Sequence, residues 1–150
     1  MLVGVISDTH GVLPPAVFDA FAGVERIIHA GDVGRQAILD ELAAIAPVIA
    51  VHGNMDTGEL AWRLPTKAVV RLADQRIVVV HMAESLSGEP VEGVDIVITG
   101  HTHRASVDWI DGVLHLNPGA AGESSRAGAP PSVALLDLAV QPPSVRIVEL

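Results

Sequence analysis

Two histidines one residue apart close the segment DIVITGHTH, so that His101 and His103 follow an apolar run that reads as a strand. Five more side chains able to ligate a metal stand in the same position relative to other apolar runs. Asp8 and His10 follow LVGVIS, Asp32 follows RIIHAG, Asn54 follows VIAVHG, and His81 ends RIVVVH. In open α/β sheets ligands bind at the carboxyl ends of the strands. Alternate residues of an extended chain point the same way, so Asp8-x-His10 and His101-x-His103 can each aim two donors into one space. Gly31, Gly53 and Gly100 precede Asp32, Asn54 and His101, and glycine permits tight turns that a β-carbon would forbid.

Seven donors are too many for one tetrahedral ion and suit two ions that share a bridge. Imidazole, carboxylate and amide oxygen favour Mn, Fe, Zn or Ni over Ca or Mg. Two divalent ions set against Asp8, Asp32 and one hydroxide leave a single net positive charge, because Asn54 is neutral. Such a site attracts an anion such as a phosphate ester.

The elements that must position these residues alternate in the first half. LVGVI (2–6), RIIHA (26–30) and PVIAV (47–51) read as strands. PPAVFDAFAG between the first two reads as a helix with Val17, Phe18 and Phe21 on one face, opened by Pro14 and Pro15. Positions 35–45 read as a helix with an apolar stripe of Ile38, Leu39, Leu42 and Ile45. Strand–helix–strand units give parallel strands with right-handed crossovers. The second half is a series of short strands, KAVVRL, RIVVVH, DIVITG, SVDWI, VLHLN, SVALLDL and SVRIVEL, with turns at ADQ, DG and QPP and little helix. Positions 117–131 read as a long Gly/Ser/Pro-rich loop. The expected fold class is α/β: one domain over 1–150, a two-sheet β-sandwich with helices outside.

Composition narrows the function. The 150 residues include no cysteine, which excludes disulfides, Cys-zinc sites and thiol nucleophiles. A net charge of −9 and 3% aromatics leave neither a basic stripe nor a stacking platform, so nucleic acid is not the expected ligand. MLVGVISDTH has no basic n-region, and its apolar run ends at Asp8, so it reads as a strand and not a signal peptide. No apolar stretch is long enough for a bilayer, and a cytoplasmic location is expected. The positive mean hydropathy, +0.44, is compatible with surface buried in a homodimer.

The order DTH…GD…GNMD…H…GHTH resembles the calcineurin-like metallophosphoesterases, and more closely their small bacterial and archaeal phosphodiesterase branch, from about Val3 to Leu138. Softer matches are His29 before Ala30-Gly31-Asp32, Leu64-Pro65, and Asn117-Pro118-Gly119. The resemblance implies a four-layer αββα fold and two divalent ions, Mn first among them. It implies that Asp8, His10, Asp32 and His103 hold one ion, and that Asp32, Asn54, His81 and His101 hold the other, with Asp32 the bridge. The implied reaction is hydrolysis of a small phosphoester by in-line attack of a metal-bridging hydroxide, with Asp32, Asn54 and His101 as the catalytic residues. Two positions depart from the pattern. Met55 stands where many relatives carry a histidine that protonates the leaving group, and Met82 stands where the motif usually has glycine after His81.

Other residues admit plainer readings. Asp56 either orients a ligand from behind or stabilises the turn MDTG. His29 and His52 read as hydrogen-bonded histidines near the sheet edge, with His52 also a substitute acid. His115 reads as structural, and Trp62 as core packing. Arg35, Arg104 and Arg126 are candidates for contacting substrate oxygens, with His52 beside them. A scaffold like the retromer subunit that shares this fold, and a regulatory metal or phosphate-ligand binder, are the competing functions; the complete ligand set favours an enzyme. There is no HxHxDH run of the metallo-β-lactamase kind and no adjacent His-Asp pair of the HD kind.

Overall fold

The computed structural model describes residues 1–87, 92–122 and 128–150. The first half alternates as expected: β1 (Leu2–Ile6), α1 (Ala16–Ala20), β2 (Arg26–His29), α2 (Gln36–Ala43) and β3 (Val48–Ala50), with the three strands parallel. After α3 (Gly58–Arg63) come β4 (Lys67–Leu72) and β5 (Gln75–Val80). A 3-10 turn (Ala83–Leu86) leads to β6 (Ile96–Ile98), β7 (Ala105–Ile110), β8 (Val113–Pro118), β9 (Ser132–Asp137) and β10 (Ser144–Glu149).

The strands form two five-stranded sheets, ordered β10-β9-β1-β2-β3 and β4-β5-β6-β8-β7. The sheets are not the two halves of the chain. The last two strands return to the first sheet, where β9 pairs antiparallel with β1. In the second sheet β5, β6 and β8 are parallel, and β4 and β7 flank them antiparallel. The turns at ADQ and DG are two-residue hairpin loops with positive φ at Ala73, Asp74, Asp111 and Gly112, the geometry that matches strand twist.

Val3, Val5 and Ile28 of the first sheet pack on Ile77, Val79, Ile98 and Leu116 of the second. The outer face of the first sheet, through Ile6, Ile27 and Val133, is covered by Val17, Phe21, Ile38, Leu42 and Leu60 from the helices. This is why β1 and β2 are apolar on both faces. Over the second sheet the covering is thin: Leu86 of the 3-10 turn packs on Val78, Val80, Val94 and Val97.

Two residues lie elsewhere than expected. Phe18 is 42% exposed, because α1 is too short to bury more than the Val17–Phe21 stripe. Trp62 is 88% exposed rather than packed in the core: Leu60 is the buried residue of α3, and a residue two further along a helix lies on the opposite side.

A candidate metal centre where the two sheets meet

Asp8 lies just beyond β1. Its Oδ2 accepts hydrogen bonds from the Ser7 hydroxyl at 2.6 Å and the His101 N–H at 3.1 Å. Its Oδ1 faces His103 Nε2 at 3.1 Å, His10 Nε2 at 3.6 Å and His81 Nε2 at 3.9 Å. Asp32, beyond β2, is divided in the same way. Its Oδ1 accepts the Met55 N–H at 2.9 Å, while Oδ2 lies 3.2 Å from His81 Nε2 and 3.7 Å from His10 Nε2. His10 and His103 bring their Nε2 atoms to 3.3 Å. The His81 Nδ1–H donates to the Ala30 carbonyl at 2.8 Å, which turns the Nε2 lone pair into the site.

Two donor groups result, Asp8–His10–His103 and Asp8–Asp32–His81, each with its ligating atoms within 4.8 Å of one another. Asp8 Oδ1 and His81 Nε2 are buried without a hydrogen-bond partner; the 3.2 Å approach of His81 to Asp32 is a charge contact too poorly aligned to be a hydrogen bond. Leaving such atoms unpaired costs about 1–3 kcal/mol each. Divalent cations among these oxygens and imidazoles would satisfy both, so the donor set fits the expected metals. Asp8 is the carboxylate common to both groups, while Asp32 Oδ2 lies near a histidine of each. The His101 ring meets the His81 ring edge-on, with centroids 5.3 Å apart. Asn54 is exposed and lines a cavity of about 190 Å³ with His81, His52, Thr66, Met82 and Ser85.

The backbone is bent to reach this arrangement. Asp8, His10, Asp32, His101 and His103 all have φ between 47° and 69°. The other positive-φ non-glycine residues among those described lie in the two hairpin turns, so the strain concentrates at the site. Of the three glycines beside the ligands only Gly31 has positive φ. Gly53 and Gly100 are required for space instead. A Cβ at Gly53 would overlap Asp32 Oδ1 and N, and one at Gly100 would overlap the Ser7 hydroxyl and lie 2.8 Å from Asp8 Oδ2.

Three polar side chains brace the bends. Asp56 is buried and accepts the N–H groups of Val33, Gly34 and Gly53 at 2.9–3.1 Å, tying the loop after β2 to the loop after β3. Of its two readings, the structure favours positioning over the local turn. His29 accepts the Gly31 N–H on Nδ1, which leaves the proton on Nε2 to meet Thr9 Oγ1 at 3.0 Å; that hydroxyl donates to the Val33 carbonyl at 2.8 Å. Burial pushes the His29 pKa down to about 4, so the ring is neutral. Asn117, at the carboxyl end of β8, donates to the Gly100 carbonyl and to Thr102 Oγ1, and accepts the Gly119 N–H. In sequence Asn117 stood out only through the Asn-Pro-Gly turn. Asp56→Ala leaves three backbone N–H groups without their acceptor. It should lower unfolding stability by about 3 kcal/mol and weaken metal binding ~10–100-fold. Denaturant unfolding and metal titration check this, and an unchanged metal affinity would reduce Asp56 to a local turn residue.

Electrostatics follow the geometry. Burial works to raise the Asp32 pKa, but His81 and the Met55 N–H outweigh it and hold the carboxyl below its ordinary value of 3.8. Burial works to lower the His81 pKa, but the Asp32 carboxylate, the Ala30 carbonyl and Asp8 raise it above 6.5.

The candidate substrate residues scatter. Arg35 donates from Nε to the Gly11 carbonyl at 2.8 Å, beside His10. Arg104 lines a separate cavity with Ala105, Ser132, Ile147 and Glu149, which includes none of the candidate ligands. His52 lines the cavity beside Asn54, and Arg126 lies outside the described residues. No helix among the described residues is long and apolar enough to cross a membrane.

The profile of the calcineurin-like phosphoesterase superfamily domain matches residues 1–141. A probable metallophosphoesterase of Methanocaldococcus jannaschii is 43% identical over 135 residues, covering 80% of this chain and 68% of that protein. The structure of an archaeal phosphodiesterase superposes with a TM-score of 0.87 at 26% identity, covering the whole of both chains. The Zn²⁺ complex of Vps29 from Entamoeba histolytica superposes with a TM-score of 0.77 at 25% identity over 99% of each chain.

Proposed function

We propose that this chain, which belongs to the calcineurin-like phosphoesterase superfamily, is a phosphodiesterase that works with two divalent metal ions. The observation that carries the proposal is the convergence of Asp8, His10, Asp32, His81 and His103 around two buried atoms, Asp8 Oδ1 and His81 Nε2, that lack a hydrogen-bond partner. Asp8, His10, Asp32 and His103 would hold one ion, and Asp32, Asn54, His81 and His101 would hold the other, with Mn²⁺ the first candidate. Bound there, the ions would supply an activated water nucleophile and neutralise charge on the phosphoryl oxygens. The protein's part is orientation. Ser7 and the His101 N–H fix Asp8, the Met55 N–H fixes Asp32, and the Ala30 carbonyl fixes His81. Neutral Asn54 keeps the centre attractive to an anion. Met55 offers no proton, so activated esters with good leaving groups are the best substrates. The likeness to the archaeal phosphodiesterase supports a phosphodiester as the substrate class; the acidic, aromatic-poor composition supports a small substrate over nucleic acid.

The test is hydrolysis of bis(p-nitrophenyl) phosphate and p-nitrophenyl phosphate by protein stripped with a chelator and reloaded with Mn²⁺. Diester cleavage that vanishes on chelation and returns on reloading supports the proposal. Loaded protein inert toward both esters would select the competing reading, a metal- or phosphate-ligand-binding scaffold, which the likeness to Vps29 favours.

A pH series gives an independent measurement. The raised His81 pKa stabilises the metal-free fold fully below 6.5, and this contribution is lost as pH rises through the folded value. The depressed Asp32 pKa stabilises the fold above 3.8 and is lost only in acid. Metal binding needs neutral imidazole, so metal affinity rises with pH across the window in which the His81 contribution disappears. The thermal shift produced by Mn²⁺ should therefore grow as pH is raised from 6.5, while the metal-free Tm loses the His81 contribution. A Mn²⁺ shift independent of pH would contradict ligation by His81.

A further inference from the structure

The cavity beside Asn54 and His81 has a size and chemistry of its own. We propose that it is the subsite for one uncharged arm of the phosphodiester, sized for a single aromatic ring or a short alkyl chain, with Met82 as the wall that sets the limit. This rests on the phosphodiesterase reading above. Asn54 and His81 belong to the proposed ligand set, so a phosphorus bound at the metals would place one of its ester arms against Thr66, Met82 and Ser85.

Size comes first. The cavity holds about 190 Å³. An apolar cavity of ~150 Å³ accepts benzene, whereas pockets for larger ligands run from ~300 Å³ upward. A ring fills this one, and a nucleoside arm would extend beyond it. The lining then sets polarity. Among the described residues no Lys, Arg, Asp or Glu contributes to it. An arm bearing a further phosphate or carboxylate would lose hydration there without gaining a cationic partner. The Ser85 hydroxyl is committed to the Met82 carbonyl at 2.6 Å, and the Ser85 N–H meets the same oxygen at 3.1 Å. These bonds anchor the 3-10 turn and hold Met82 in place. A thioether is polarizable and packs well on an aromatic ring. A glycine at this position, as the resembling motif usually has, would leave the wall open.

The experiment uses the full Zn²⁺-loaded chain with ¹³C-labelled methionine methyls. The chain has three methionines, Met1, Met55 and Met82. Diphenylphosphinate and dimethylphosphinate are the probes: both are monoanions with two arms on phosphorus and no ester bond to cleave. Diphenylphosphinate should bind at least ~10-fold more tightly and shift the Met82 methyl while leaving the Met1 methyl unmoved. Met82→Gly should raise hydrolysis of naphthyl diesters relative to phenyl diesters by at least ~10-fold. Equal affinity for the two phosphinates, or a Met55 shift without a Met82 shift, overturns the subsite. If bis(p-nitrophenyl) phosphate is hydrolysed under those results, the subsite alone falls. If the loaded protein neither binds a phosphinate nor hydrolyses a diester, the phosphodiesterase reading falls and takes the subsite with it.

Discussion

Asp32→Ala should lower kcat/KM for bis(p-nitrophenyl) phosphate by at least ~10³-fold, about 4 kcal/mol of transition-state stabilisation, and reduce the metal bound per chain. Asp32 is buried, and its two oxygens already have separate tasks: Oδ1 is fixed by the Met55 N–H, and Oδ2 faces His81 and His10. Among the described residues the other carboxylate of the two donor groups is Asp8, whose Oδ2 is held by Ser7 and the His101 N–H and whose Oδ1 belongs to both groups. Asp32→Asn separates charge from position. Its amide oxygen can still accept the Met55 N–H, and asparagine tolerates the left-handed φ of 52°, so its fold should survive while its activity falls. Steady-state kinetics, metal analysis and thermal unfolding on both variants check the prediction. An Asp32→Ala protein that keeps activity within ~10-fold of the parent would remove Asp32 from the reaction.

The second large effect is a gain. Met55 is 56% exposed, while its backbone N–H is anchored to Asp32, so the position is fixed and its side chain is free to change. Met55→His places an imidazole beside Asn54 at the mouth of the site. For diesters with poor alkoxide leaving groups kcat should rise ~10²-fold, within the usual range for general-acid help. For p-nitrophenolate, which needs no proton, the change should be small. The variant should also acquire an alkaline fall in kcat that the parent lacks, as the imidazolium loses its proton. Unchanged rates on the poor leaving groups would show that a missing donor at position 55 does not limit this enzyme.

Much of the candidate site was legible because side chains able to ligate metals are chemically distinctive and their spacing is tied to strand ends. Asp8-x-His10 and His101-x-His103 follow apolar runs, and such runs form strands wherever both faces are covered. The bracing residues were less legible. Asp56 and Asn117 act on backbone groups distant in sequence, Asp56 accepting from Val33 and Asn117 donating to Gly100, while His29 reaches the Thr9 hydroxyl. Nothing in a linear pattern distinguishes such a brace from an ordinary turn residue. The glycines were half legible. Their positions marked the site, but the reason at Gly53 and Gly100 is the close approach of Asp32 and of Ser7 and Asp8, not a left-handed turn.

Side-chain periodicity and donor chemistry are local properties, so the strands, the first two helices and the candidate ligand types can be read from the sequence alone, and the ordered motifs carry the superfamily. The short α3 escapes such a reading. The folded chain then shows that β9 and β10 return to the first sheet, that Trp62 lies in solvent, and that Arg104 lines a cavity apart from the candidate ligands. It also set the arrangement of the seven candidate ligands. Asp8 Oδ1 and His81 Nε2 lie buried without a hydrogen-bond partner, and five of the candidate ligands adopt left-handed backbone beside loops that Asp56, His29 and Asn117 brace. That arrangement exists only after β1, β2, β5 and β6 converge, since it depends on hydrogen bonds between segments up to 93 residues apart.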